Sequence, residues 1–471
     1  MKYIDLLLIF GDNFVQKNTT PRENLDEISR EPPMKKSSPS SNQPSLLFAD
    51  LLDQLNPKHP LLLLARQLPW DFFEQEFSSL YAKTGRPAKP IRLMVGLCML
   101  KHLENLSDET IVQRWVQNPY YQAFCGETEF QWQFPCDPTD LVYFRKRIGV
   151  TGFEQILAAS IALHGAAALE DEVCIDTTVQ EKNITFPTDA KLYRKIIVRC
   201  WKVARKHDII FSRTYKKEVK QRRLELRFGQ HPKKRAIARK ARLRLKTIAG
   251  RLLRELQRKL PADILPLYAN DFSLYQRVLN QKRSDKHKVY SLHEPHVYCM
   301  SKGKEHQRYE FGTKASIATT RDSKIIIGAL AFESNFYDGH TLHAALEQIQ
   351  RMLNTQPSVA ITDRGYRGRK KIGSTQIFTP YTAPNSQDEK LRELARRRFR
   401  KRAGIEPVIG HLKSDHRLKR NFLKGFIGDQ INVLMAAAAF NLRKWMRLII
   451  FCFYWLRSLL KITPDFRGLS A

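Results

Sequence analysis

Apolar residues recur along this chain in two rhythms, a helical one toward both ends and an alternating one between them. After the breaker run G-R-P-A-K-P, Ile91, Val95, Cys98, Met99 and His102 fall at helical spacing. Asp108 to Gln117 repeats the pattern, with Ile111 and Trp115 on one face, and stops at Asn118-Pro119. Joined by N-L-S, these two helices form either a helix-turn-helix or an ordinary bundle pair. Asp140 to Ile148, which contains F-R-K-R, and Phe153 to Leu163 predict two more helices. The rhythm then changes. In E-V-C-I-D-T-T-V (172–179), Val173, Ile175, Thr177 and Val179 alternate with Cys174 and Asp176. That predicts a strand with an acid on the face opposite its apolar row.

Strands resume at Tyr309 to Thr319, where Tyr309, Phe311, Thr313, Ala315 and Ile317 share a face. T-R-D-S turns the chain into the apolar run Lys324 to Phe332, so the pair predicts an antiparallel hairpin. His340 to Leu353 predicts a helix that buries Leu342, Leu346, Ile349 and Leu353. V-A-I-T-D (359–363) is a short buried strand ending in Asp363, R-G-Y-R-G is a loop, and I-F-T-P (377–380) is a further strand. Asp388 to Lys413 is helical and basic, and Gly428 to Met446 is a core helix with an alanine run.

On one continuous helix, Phe399, Arg402, Glu406, Gly410 and Lys413 would fall within roughly 80° of one another. Gly404 and Pro407 oppose that arrangement, because proline is costly in a helix interior and favoured in a first turn. A break near Gly404 would put Glu406 at the start of a new helix, where the dipole favours an acid.

Charge sharpens the picture. Residues 191–259 carry 26 Lys plus Arg against four acids, Asp208, Glu218, Glu225 and Glu255. Leu243, Ile248, Leu252 and Leu256 mark helices there, and G-Q-H-P breaks them. A solvated charged helix mixes its signs and this segment does not, which predicts contact with phosphate. Over all 471 residues, 80 Lys plus Arg against 47 Asp plus Glu leave +33. So basic a chain calls for a polyanionic partner, and nucleic acid fits best.

Other classes recede. Seven cysteines stand singly with no C-x-x-C, which disfavours a zinc ribbon or a disulfide framework and fits a reducing compartment. His287, His293, His296 and His306 have no cysteine at ligand spacing, so zinc is disfavoured there too. A phosphate loop of the G-x-x-x-x-G-K-[ST] kind is absent. The first residues hold a short apolar run broken by Asp5 with no small-residue cleavage site, which predicts no signal peptide. Residues 16–45 are polar and rich in Pro and Ser, so 1–45 is expected to be a disordered extension. Leu448 to Leu456, bracketed by Arg447 and Arg457, is too short to span a bilayer and predicts a buried terminal helix.

Three acids remain in an informative order: Asp176 on the first strand, Asp363 at the end of a later one, Glu406 on a late helix. Oxygen ligands held this way suit Mg²⁺, which keeps some waters and takes substrate phosphate as well. Two such ions roughly 3.5–4 Å apart would activate an attacking oxygen and stabilise a leaving one. Each aspartate alone reads equally as a strand-end cap or a surface acid. Glu389, Glu393 and Asp415 compete with Glu406 for the third place.

The residues that carry a resemblance are now on view. The chain resembles the DDE transposases of bacterial insertion sequences, in the branch marked by Y-x2-R-x3-E-x6-K. Arg402, Glu406 and Lys413 match that spacing, with Phe399 where the family has tyrosine. C-I-D-T-T and I-T-D-R-G-Y-R-G are similar to the motifs around the family's two aspartates. G-R-P-A-K-P-I-R-L-M-V-G-L, Y-Q-A-F-C-G, S-L-H-E-P-H, K-G-K, Y-E-F-G-T-K and D-G-H-T-L resemble the same branch, and the likeness covers about residues 46–446.

The resemblance implies an α/β fold with a ribonuclease-H-like core, a mixed sheet flanked by helices. An N-terminal helical, DNA-binding domain at 46–168 would precede a catalytic domain at 169–446, with a basic helical insertion about 190–290 and an apolar C-terminal helix and tail at 447–471. It implies Asp176, Asp363 and Glu406 as catalytic ligands of Mg²⁺ or Mn²⁺, two ions in all. DNA contacts are expected from Arg402, Lys413, Arg364 and Arg367, and from Lys233, Lys234, Arg235, Arg239 and Lys240. Partners would be terminal inverted repeats and target DNA, bound by a homodimer on the nucleoid in the bacterial cytoplasm, with no membrane. Two alternatives stay open: an inactive descendant that binds DNA as a regulator, and a structure-specific nuclease of the same fold.

Overall fold

Local capping chemistry starts most of the N-terminal helices. The computed structural model describes residues 50–82, 87–282, 284–301, 309–380 and 389–459, the last eight in backbone only. The expectations for 1–45, K-G-K, His306 and the tail beyond 459 lie outside the described residues. Helices α1 (Pro60–Gln67), α2 (Trp70–Ser78) and α3 (Ile91–Leu103) come first. Ser107 accepts from the Thr110 amide to cap α4 (Asp108–Gln117), and Asn118 caps α5 (Pro119–Phe124) with proline at its first position. Asp137 and Asp140 form a capping box at the head of α6 (Pro138–Ala162). The two helices expected here are present within this range and meet at Gly149, whose non-helical φ of 60° and ψ of −168° suit glycine.

Helix α3 is buried almost all round, so it serves as the hub of this region. Beneath it, Asp108 takes Nζ of Lys101 at 2.8 Å and both terminal nitrogens of Arg145 at 3.0 and 2.7 Å. That triad pins α3, α4 and α6 together. Burial pushes the Asp108 carboxyl upward, but its two cationic partners outweigh burial and hold it well below the usual range.

Eight strands follow among the described residues: β1 (Glu172–Lys182), β2 (Tyr298–Ser301), β3 (Tyr309–Thr320), β4 (Ile326–Phe332), β5 (Val359–Ile361), β6 (Lys371–Ile372), β7 (Thr375–Phe378) and β8 (Arg420–Asn421). They make one mixed sheet. Its main run is β4-β3-β1-β5-β7, antiparallel through β1 and parallel beyond it, with β2 beside the start of β3 and β8 beside the end of β1. The hairpin expected at 309–332 is present as β3 and β4. Gly312 is required where β3 crosses β1, since a Cβ there would lie 1.8 Å from the Gln180 carbonyl oxygen.

Between β1 and β2 stand α7 (Asp189–Lys206), α8 (Lys216–Glu225), α9 (Arg235–Lys259) and α10 (Ala269–Asn280). They bury a core of their own, including Leu192, Ile196, Leu245, Leu252, Phe272 and Tyr275. The basic residues project from it.

Helix α11 (Asp338–Leu353) packs on the sheet, then α12 (Glu389–Arg402), α13 (Ile405–Asp415) and α14 (Gly425–Leu459) complete the chain. The principal core runs without interruption from Leu97, Phe144 and Phe153 through Ile317 and Leu342 to Ala436. Fully buried alanines at 436–439 bring α14 close against its neighbours.

Strand β1 carries Asp176 on the face opposite its apolar row, as expected; both faces are buried at Val173, Cys174 and Ile175, and the strand opens partly at Asp176 and Thr177. Two expectations need correcting. The final core helix begins earlier and continues through residue 459. Its terminal part is not a buried helix where described, because Leu448, Ile450 and Phe451 are exposed beyond the last packed turn. Among the described residues no helix is long and apolar enough to cross a membrane.

Candidate active site

Pairing between β1 and β5 sets the position of the two aspartates. Their parallel register matches Glu172 with Val359, Val173 with Ala360 and Cys174 with Ile361. Asp176 lies two residues farther along β1 and Asp363 two residues past the end of β5, at the head of the following turn. Neighbouring strands lie about 4.8 Å apart, and both carboxylates come within reach of the same guanidinium, that of Arg402. Each is steadied by backbone: Thr177 N–H donates to Oδ1 of Asp176 and Gly365 N–H to Oδ1 of Asp363, both at 2.8 Å.

The third acid arrives on a broken helix. Helix α12 ends at Arg402, Gly404 stands between, and α13 starts at Ile405 with Glu406 in its first turn. Pro407 falls in that same turn, where its missing N–H costs no helical hydrogen bond. The five-residue stripe on one continuous helix is therefore replaced by two segments. Glu406 and Lys413 still share a face of α13, seven residues apart, while Phe399 and Arg402 belong to α12.

Arg402 occupies the middle. Its Nη2 lies 3.0 Å from Oδ2 of Asp176 and 4.0 Å from Oδ2 of Asp363, and Nη1 lies 3.8 Å from Oε1 of Glu406. The guanidinium is mostly buried, whereas the Glu406 carboxylate is 67% exposed. The Nε of Arg402 is buried without a hydrogen-bond partner. Among the described residues, no three His, Cys, Asp or Glu side chains converge closely enough to hold a metal as they stand. The donor set nonetheless fits a hard divalent ion. It is all carboxylate oxygen, and a cation already stands among the three acids.

What places Arg402 is a brace that periodicity does not reveal. Arg398 donates from Nε and Nη2 to Glu172 on β1, the shortest contact being 2.6 Å. Lys401 Nζ lies 3.0 Å from Asp322, and Lys324 donates to the Lys401 carbonyl at 2.6 Å. The last turn of α12 is thereby fixed to β1 and to the β3–β4 turn. Phe399 packs against Phe378, with ring centroids 5.2 Å apart, over a small core of Cys174, Ile361 and Ile405. Its ring is structural here.

Two more residues near the acids fall within the motifs D-G-H-T-L and R-G-Y-R-G but were not assigned a role from sequence. Asp338, the first residue of α11, bonds to Thr177 and Lys314. Tyr366 is fully buried, its hydroxyl beside Thr177 without a well-formed hydrogen bond. Burial, then the negative charges of Asp176, Asp338 and Asp363, push that hydroxyl well above its ordinary value, so it stays protonated.

The remaining candidates lie farther out. Arg364 and Arg367 are exposed on the turn after Asp363, and Lys413 is half-buried. Lys233, Lys234, Arg235, Arg239 and Lys240 are all exposed at the head of α9, in the separate helical unit. Asp415 is engaged by His411 at 2.9 Å, and Glu389 lies at the other end of α12, roughly 20 Å of helix from Arg402. His293 bonds to Ser291 rather than to other potential ligands.

Comparison with known proteins identifies two domains in the chain. The family described as Transposase domain (DUF772) matches residues 49–147, and the one described as Transposase DDE domain matches residues 283–442. The second match includes Asp363 and Glu406; Asp176 falls between the two. A Rhizobium meliloti protein described as "Uncharacterized protein ORF8 in nfe locus" is 44% identical over 204 residues, 42% of this chain and 98% of that protein. No solved structure gives a significant match. With these two domains in sequence, the chain belongs to the DDE transposases of insertion-sequence type.

Proposed function

We propose that this transposase binds the terminal inverted repeats of its insertion sequence, cleaves at their ends and joins the freed strand to target DNA. One observation carries the reading: Asp176, Asp363 and Glu406 all lie within 4.0 Å of one guanidinium, that of Arg402. The sheet order β4-β3-β1-β5-β7, antiparallel then parallel, supports a ribonuclease-H-like core.

Asp176, Asp363 and Glu406 would hold Mg²⁺ or Mn²⁺, two ions in all, which when bound supply an activated attacking oxygen and charge stabilisation for the leaving one. Strand β1 holds Asp176 and the turn after β5 holds Asp363, and the exposed Glu406 carboxylate approaches from the helix side. Arg402 is suited to exchange its carboxylate partners for a DNA phosphate, because a guanidinium pairs with either in the same planar geometry. Arg364 and Arg367 beside Asp363, and Lys413 along α13, would grip the backbone near the cut. The exposed row Lys233, Lys234, Arg235, Arg239 and Lys240 would bind more distant phosphates. The assembly on DNA is read as a homodimer, acting on the bacterial nucleoid, with residues 46–168 contributing to DNA binding and 169–446 to catalysis.

Purified protein, Mg²⁺ and a duplex carrying the element's end test the proposal. Cleavage at the terminus, abolished by Asp363→Ala, is expected. Unimpaired cleavage by that variant overturns the site. A regulator that no longer cuts is the second reading, favoured by the guanidinium lodged among the acids; salt-dependent end binding without metal-dependent cleavage would support it.

A further inference from the structure

Asp338 makes no cap for its own helix. Tyr337 is the N-cap of α11 and offers no side-chain bond, while the Asp338 carboxylate turns to other elements. Its Oδ1 accepts from the Thr177 hydroxyl at 2.8 Å and from Nζ of Lys314 at 2.8 Å. Lys314, on β3, is itself fixed by donating to the Phe336 carbonyl. Thr177 follows Asp176 on β1 and projects to the opposite face of the strand. The other oxygen of Asp338 borders Gly365, on the turn that carries Asp363. A Cβ on Gly365 would stand 3.1 Å from Oδ2 of Asp338 and 3.0 Å from Oδ1 of Asp363. One carboxylate therefore bonds to the strand of the first acid and stands beside the turn of the second.

That placement answers a physical need. Asp176 and Asp363 are like charges on separate elements, and they repel unless the elements are tied together. The short β1–β5 pairing ends at Cys174 and Ile361, two residues before either acid. Beyond that point no further β1–β5 pairing forms among the described residues. Arg402 faces both acids from one side, and Asp338 stands behind them, holding Thr177 and bordering the Asp363 turn, with Lys314 neutralising its charge.

We infer that Asp338 is a positioning residue for the Asp176–Asp363 pair, setting the separation at which the two can share a divalent ion. The inference rests on the function proposed above. Groups that orient metal ligands are worth about 10- to 100-fold in metal affinity, so a loss of that size is expected here.

The test is Mn²⁺ titration of the full chain, read by electron paramagnetic resonance of the free ion, for wild type, Asp338→Ala, Asp338→Asn and Asp363→Ala. Asp338→Ala is expected to weaken Mn²⁺ binding about 10- to 100-fold, with cleavage restored at high Mn²⁺. Asp338→Asn keeps the acceptor for Thr177 and should recover part of the affinity. Unchanged Mn²⁺ affinity in a folded Asp338→Ala protein overturns the inference. If Asp338→Ala does not fold, Thr177→Val removes the same tie from the other side; a loss of affinity supports the inference and an unchanged value overturns it. Asp363→Ala separates the two claims: if it still binds Mn²⁺ and cuts like wild type, the site assignment itself fails, whatever Asp338 does.

Discussion

Nη2 of Arg402 lies 3.0 Å from Oδ2 of Asp176, so in the DNA-free protein one guanidinium neutralises the carboxylate expected to hold metal. An arginine and a divalent ion compete for the same oxygens. Removing the competitor as Arg402→Ala should tighten Mn²⁺ binding in the absence of DNA by about tenfold, the effect of roughly 1.4 kcal/mol of relieved competition. End cleavage should fall at the same time, because a group suited to hold DNA phosphate is gone. Calorimetric titration with Mn²⁺, set beside a cleavage assay, reads both. Weaker Mn²⁺ binding in the variant would mean that Arg402 organises the acids rather than occupying their site.

Gly365 gives a steric prediction. Since a methyl group there would crowd Asp363 and Asp338 at 3.0 and 3.1 Å, Gly365→Ala must displace one carboxylate or the other. The turn is solvent-accessible and can shift without unfolding the sheet. Cleavage is expected to drop about 10- to 100-fold with the melting temperature nearly unchanged. Wild-type cleavage by this variant would show that the carboxylates have room to spare.

A stability prediction concerns Asp108, buried between Lys101 and Arg145. Asp108→Asn leaves two buried cations without a counter-charge and should cost about 3–5 kcal/mol in denaturant unfolding. The pH dependence follows from its depressed carboxyl. Stability from Asp108 is fully present above the ordinary carboxylate value of about 3.9 and is lost as pH falls through the lower folded value. The variant's acid-unfolding curve should lack that component.

Asp429 behaves oppositely. Burial pushes its carboxyl up to about 6, although Lys182 lies 2.8 Å away and draws it down. The folded state therefore holds its proton more tightly than the unfolded chain. Its contribution is fully present below about 3.9 and disappears as pH rises through about 6. Wild type should gain roughly 2–3 kcal/mol relative to Asp429→Asn between about pH 7 and pH 4, since each tenfold difference in proton affinity is worth about 1.4 kcal/mol. Parallel pH profiles for the two proteins would count against this.

The exposed basic row on the inserted helices gives a salt signature. Each phosphate that the protein no longer neutralises lowers the slope of log K against log salt by about 0.9. Replacing Lys233, Lys234, Arg235, Arg239 and Lys240 by glutamine should flatten that slope by up to roughly 4 to 5. A slope equal to wild type, measured by fluorescence anisotropy with end DNA, would place the phosphate contacts elsewhere.

Much of this was legible in residue order. Alternation marked β1 and β3, a continuous apolar run marked β4, and 3.6-residue spacing marked α3, α4 and α11, because burial leaves its trace in one dimension. Charge bias exposed the insertion. Gly404 and Pro407 announced the break between α12 and α13, since proline excludes itself from a helix interior wherever the rest of the chain lies.

What one dimension could not carry was relations between elements. That Asp176 and Asp363 come near one guanidinium depends on β1 pairing with β5, a choice made by the packing of the whole sheet. Arg402's central place depends on Arg398 reaching Glu172, 226 residues earlier in the chain. Asp338 sat within D-G-H-T-L with nothing to mark it as a neighbour of Thr177, 161 positions away. Burial of Cys174 opposite Val173 and Ile175, and exposure of Leu448, Ile450 and Phe451, likewise follow from which elements reach those surfaces. Periodicity specified the elements, because each residue's surroundings within a helix or strand are set by its near neighbours. The site is made of contacts between residues far apart in sequence, and only folding brings those together.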